Sequence, residues 1–93
     1  MRRLQKYVLD CIHQRGYGIT ENESIPEYNV RQYLKATEEM GEIARYLFDR
    51  QSPPATEIAD VIIPLLAMAE MLNYDLETAI TEKVENDIER GIR

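Results

Sequence analysis

Ninety-three residues suit one domain, residues 1–93, and leave no room for two. Seventeen acidic against eleven basic residues give a formal net charge of −6, which argues against a nucleic-acid-binding module, because such modules carry a basic face. Cys11 is the only cysteine, Met1-Arg2-Arg3 leads into mixed polar sequence, and the longest apolar run, residues 61–69, is far below the roughly 20 residues a bilayer requires, so we expect no internal disulfide, no membrane span and a cytoplasmic setting.

Helical spacing dominates and strand signals are poor throughout. The first segment places Leu4, Val8, Cys11 and Ile12 on one stripe, with Gly16 and Gly18 marking its end. Residues 18–28 read as a polar connection containing Pro26. A second helix is expected to start between residues 26 and 29 and to run to about residue 50. Val30, Leu34, Thr37, Ala44 and Phe48 fall on one side of it, widened by Tyr33, Met40, Ile43 and Leu47. Ser52-Pro53-Pro54 then breaks the chain, with Ser52 as the expected N-cap and Pro53 at the first helical position.

The third helix, about residues 54–73, is apolar in every direction, from Ile58 to Leu72. Such a helix is expected to be buried on all sides, and so short a chain has a modest core of its own. A second subunit is the natural cover. Pro64 lies inside this helix, where it removes a backbone donor and favours a kink. Asp75 reads as the N-cap of a fourth helix, with Glu77 in its first turn and Leu76, Ile80, Val84 and Ile88 as its apolar ridge. The expected fold is all-α: a four-helix bundle completed by dimerisation.

Two acidic pairs stand out, Glu39 with Glu42 and Glu57 with Asp60. At a separation of three, each pair lies about 60° apart on its helix, one turn along. Fourteen residues separate Glu42 from Glu57, enough to finish one helix and turn back, so an antiparallel return brings the pairs face to face. Solvated acidic stripes are ordinary, but Glu57 and Asp60 belong to the most apolar helix in the chain. Two carboxylates about 5 Å apart repel by roughly 3 kcal/mol at an effective dielectric near 20. Four converging acids therefore call for a cation or for protonation. Hard divalent cations take several oxygen ligands, with water and substrate phosphate completing the shell.

Glu38-Glu39-Met40-Gly41-Glu42-Ile43 followed by Glu57-Ile58-Ala59-Asp60-Val61 resembles the signature of the MazG-like, all-α nucleotide pyrophosphohydrolases. Tyr74-Asp75-Leu76-Glu77-x-Ala79, Lys83-x-x-Asn86 and Arg90 extend the likeness, which runs from about residue 30 to residue 90. The resemblance implies a four-helix MazG-like bundle assembled as a homodimer or a dimer-based tetramer, with the site at the subunit junction. It implies that Glu39, Glu42, Glu57 and Asp60 bind magnesium, with manganese as a substitute. The activity it implies is hydrolysis of a nucleoside triphosphate to monophosphate and pyrophosphate, with water attacking at phosphorus.

Within that reading, Glu38 is the candidate catalytic residue that positions or deprotonates the water, against the plain alternative of a surface glutamate. Lys83, Asn86 and Arg90, at i, i+3 and i+7 on one face, are the candidate substrate-binding residues: the cations for phosphate, the amide for sugar or base. The alternative there is a solvated face beside Glu82, Glu85, Asp87 and Glu89. The chain departs from many relatives in having no tryptophan. Tyr7, Tyr17, Tyr28 and Tyr33 can stack on a base, although packing with a wet hydroxyl is the commoner use of tyrosine. His13 is expected at the surface. Two rival functions stand beside this one: phosphoribosyl-ATP pyrophosphohydrolase, and a helical dimerisation or regulatory module without catalysis.

Overall fold

The computed structural model describes residues 1–91. Four helices follow in chain order: α1 (Arg2–Gln14), α2 (Ile25–Phe48), α3 (Ala55–Met71) and α4 (Leu76–Glu89), with no strand among the described residues. The all-α expectation holds.

Local chemistry sets the helix boundaries. α2 begins at a capping box: Ser24 Oγ accepts from the Glu27 N–H at 3.2 Å, and Glu27 Oε1 accepts from the Ser24 N–H at 3.0 Å. Pro26 occupies the second helical position, where the absent donor costs nothing. α4 begins as expected at Asp75, whose carboxylate accepts from the Thr78 N–H at 3.3 Å. Ser52 does not cap α3. The N-cap position is Pro54, in extended backbone and without a side-chain bond. A residue followed by proline is pushed out of the helical region, so Pro53 cannot be helical and α3 starts only after the second proline.

The first three helices end in one device. Tyr17 N–H reaches Ile12 O and Gly16 N–H reaches His13 O after α1, and the same pair of bonds recurs at Gln51 and Arg50 after α2 and at Tyr74 and Asn73 after α3. Gly16, Arg50 and Asn73 take the left-handed conformation this Schellman turn requires, at φ of 81°, 57° and 60°.

α3 runs unbroken through Pro64 and packs against both α1 and α2. Its buried side carries Val61, Pro64, Leu66, Ala67 and Ala69, facing a core to which α2 contributes Tyr28 and Ala36. The side chains expected to be covered all round are not covered within one chain. Ile58, Ile62, Ile63, Leu65 and Leu72 keep 37–48 % of their surface.

α4 is the helix least covered within one chain. It buries none of its residues, and Ile80, Val84 and Ile88 of its ridge are exposed. Only its start is anchored. Gln5, fully buried on α1, donates to Tyr74 O at 2.7 Å and accepts from the Leu76 N–H at 2.9 Å, while the Met1 ammonium meets Glu77 at 3.0 Å. One chain is thus a packed three-helix layer with a projecting fourth helix, not a closed four-helix bundle. The molecule is flat, 45 × 36 × 21 Å.

Candidate metal centre

The acidic spacing read from the sequence is realised in part. Glu39 from α2 and Glu57 and Asp60 from α3 each offer a carboxylate oxygen, and the three lie within 4.8 Å of one another. The packing of α2 on α3 makes this possible, because it returns the first turns of α3 along the middle of α2. Glu42 lies outside the group. Its carboxylate stands 3.6 Å from Arg45 one turn further along the same helix. The donor set is all oxygen and anionic, which suits a hard cation such as magnesium or manganese and leaves coordination positions for water and phosphate.

Two of these acids open onto a groove of about 670 Å³ bounded by α1, α2 and α3. Glu38, Glu39, Lys35, Gln32 and Arg31 line it from α2, Asp60, Ile63 and Pro64 from α3, and Arg15 and Tyr17 from the end of α1 and the turn beyond. Cations and carboxylates therefore share one recess. Lys35 Nζ lies 3.1 Å from Glu39 Oε1, and that carboxylate, with Glu38 next, holds the Lys35 ammonium above the ordinary lysine value.

Arg31 builds the wall between α1 and α2. Its guanidinium grips Glu23 by two bonds of 2.7 Å, donates to Gly18 O at 3.2 Å and lies over the Tyr28 ring at 5.2 Å. This fork–fork pair keeps the Glu23 carboxyl below the usual carboxylate range and ties the connection to α2. Arg15 lies over the Tyr17 ring at 5.9 Å. Gly18 packs against the His13 ring so closely that a Cβ there would collide with it.

The α4 candidates stand elsewhere. Lys83, Asn86 and Arg90 do not line the groove, and Lys83 is held by Asp87 at 2.6 Å on its own helix. Of the four tyrosines, Tyr17 alone is at the groove, while Tyr28 is wholly buried. Arg15, Arg31, Gln32 and Lys35 were not singled out from the sequence. For three of them a signal existed: positions 31, 32, 35, 38 and 39 fall on one face of a helix. Arg15 had none, since only the tertiary fold brings it to α2. No family model, no curated protein and no solved structure matches this chain.

Proposed function

We propose that this chain is a magnesium-dependent nucleoside triphosphate pyrophosphohydrolase of MazG-like type, releasing a nucleoside monophosphate and pyrophosphate. The observation that carries the reading is the convergence of Glu39, Glu57 and Asp60 at the edge of a groove that also bears Arg15, Arg31 and Lys35. Triphosphate is the polyanion such a mixture suits: the acids take the cation and the basic groups face the phosphate oxygens.

Glu39, Glu57 and Asp60 would hold magnesium, and Glu42 belongs to the proposed set by its spacing from Glu39. Bound there, the metal supplies positive charge against the phosphate oxygens and lowers the cost of making hydroxide from water. Lys35 neutralises Glu39 until the substrate arrives and then stands one helical turn from the acids, against the phosphate chain. Glu38, exposed on the groove wall, takes the proton of the attacking water. The water oxygen bonds to phosphorus as the bond to the leaving pyrophosphate breaks.

Self-association belongs to the same proposal. The uncovered apolar sides of α3 and α4 support a homodimer or dimer-based tetramer, in which α4 of one copy carries Lys83, Asn86 and Arg90 towards the site of another. The same exposure favours the rival reading of a helical interaction module without catalysis. A lone Cys11 accords with the reducing cytoplasm as the proposed setting. Among the described residues no helix is long and apolar enough to cross a membrane.

The test is incubation with a panel of ribo- and deoxyribonucleoside triphosphates and with phosphoribosyl-ATP, with magnesium or with chelator, alongside the mass of the same preparation in solution. Magnesium-dependent monophosphate plus pyrophosphate, from a species that is a multiple of 10.9 kDa, is expected. Turnover of phosphoribosyl-ATP alone would move the reading to the rival phosphoribosyl-ATP pyrophosphohydrolase. No turnover from an intact oligomer would leave the interaction module.

A further inference from the structure

Two polar side chains are buried among the described residues, Gln5 at 0 % exposure and Gln32 at 7 %. Gln5 is satisfied: its amide reaches Glu70 at 3.3 Å and Tyr74 O at 2.7 Å, and its oxygen accepts from the Leu76 N–H at 2.9 Å. Gln32 makes no side-chain hydrogen bond to any described residue, and what remains of its surface faces the groove. Neither polar atom of its amide is among the buried atoms left without a partner, so the amide is open to the groove, where a ligand can take the place of water.

We propose that Gln32 reads the base of the nucleotide in the groove. This rests on the triphosphate reading given above. Gln32 and Glu39 are seven residues apart on α2, two turns along one face and roughly 10 Å along the axis. Lys35 lies between them, one turn from each. A nucleotide laid along this face with its phosphates at Glu39 and Lys35 brings its base to Gln32. Leu34 and Ile63 supply apolar surface, and Tyr17 a ring, for the faces of that base. The amide offers a donor and an acceptor side by side, which matches a base edge carrying an N–H or amine next to a carbonyl or ring nitrogen. Gln32 is therefore a specificity-determining residue, separate from the acids that hold the cation.

The experiment is equilibrium binding of the α,β-methylene analogues of ATP, CTP, GTP and UTP, with magnesium, to the full chain and to Gln32→Leu and Gln32→Glu. Manganese affinity and a thermal melt are measured on each protein. The wild type is expected to rank the four analogues. Gln32→Leu is expected to flatten that ranking by about tenfold and to keep its manganese affinity. Gln32→Glu, whose carboxylate only accepts, is expected to favour analogues with an exocyclic amine over the UTP analogue. Gln32→Met, close in shape, replaces the leucine variant if that one melts early. An unchanged ranking in the folded variants, or a wild type that binds all four equally, overturns the role of Gln32. A wild type that binds none of the analogues overturns the triphosphate reading beneath it.

Discussion

Glu57 sits half-buried at the start of α3, among groups of its own sign. Only Lys35, on Glu39, offers the three acids an opposite charge at ion-pair distance among the described residues. Glu57→Gln keeps the shape, removes one negative charge and leaves a weaker ligand. Turnover is expected to fall on the order of a hundredfold or more, since changes merely in the surroundings of metal ligands already cost about 10–100-fold. The metal-free melting temperature is expected to stay level or rise, because repulsion is relieved, and the stabilisation by magnesium that the proposed site predicts for the wild type should be absent from the variant. Assays and melts with and without magnesium check this, and normal turnover by the variant would remove Glu57 from the site. Glu57, Asp60 and Glu39 were legible from the sequence because spacing alone carries them to one place. Glu42 has the same spacing, yet its side chain turns towards Arg45, and rotamer choice of that kind leaves no trace in a periodic pattern.

The elements begin where short polar side chains can replace missing backbone partners. The Ser24 N–H, and secondarily the Ser24 hydroxyl, hold the Glu27 carboxyl below the ordinary glutamate range; the Thr78 N–H does the same for Asp75, and Arg31 for Glu23. A carboxyl whose folded pKa is lowered contributes stability that is present above its unfolded value, about 4–4.5, and lost as pH falls through the folded value. All three therefore weaken the fold in acid. Glu27→Gln keeps an oxygen for the Ser24 N–H but no charge. The variant is expected to be less stable than the wild type at pH 7, with the gap closing by about pH 3. Urea unfolding midpoints at the two pH values measure it, and a gap independent of pH would contradict the capping account. The cap at Asp75 was legible because it stands immediately before an apolar ridge. The cap at Ser24 hides one residue ahead of Ile25 and Pro26 in polar sequence, and Ser52 misleads because the second proline forbids what the first invites.

As a whole the molecule is about two helices thick, 21 Å against a helix diameter near 10–12 Å. That thickness explains why α3, flanked by α1 and α2, still shows one apolar side to solvent. The periodic ridge of α4 told correctly that it would be a helix. Periodicity does not say which surface, or which copy of the chain, receives the ridge, so where α4 packs was not legible from it. The Gln5 contacts were beyond reach for a related reason: nothing near residue 5 foretells partners at residues 70, 74 and 76.

Those partners set an order of assembly. Gln5 closes loops of 65 to 71 residues, whereas α2 and α3 are joined by the six residues between Phe48 and Ala55. Closing the longer loop from an unfolded chain costs about 2 kcal/mol more in entropy. The α2–α3 hairpin, local in sequence, therefore forms early, and α1 docks once the turn after α3 exists. In pulse-labelled hydrogen exchange the amides of α2 and α3 are expected to gain protection ahead of those of α1, and simultaneous protection would contradict that order. Arg15 and Tyr17 arrive with α1, so the acids meet during the first stage and the groove beside them is walled only in the last.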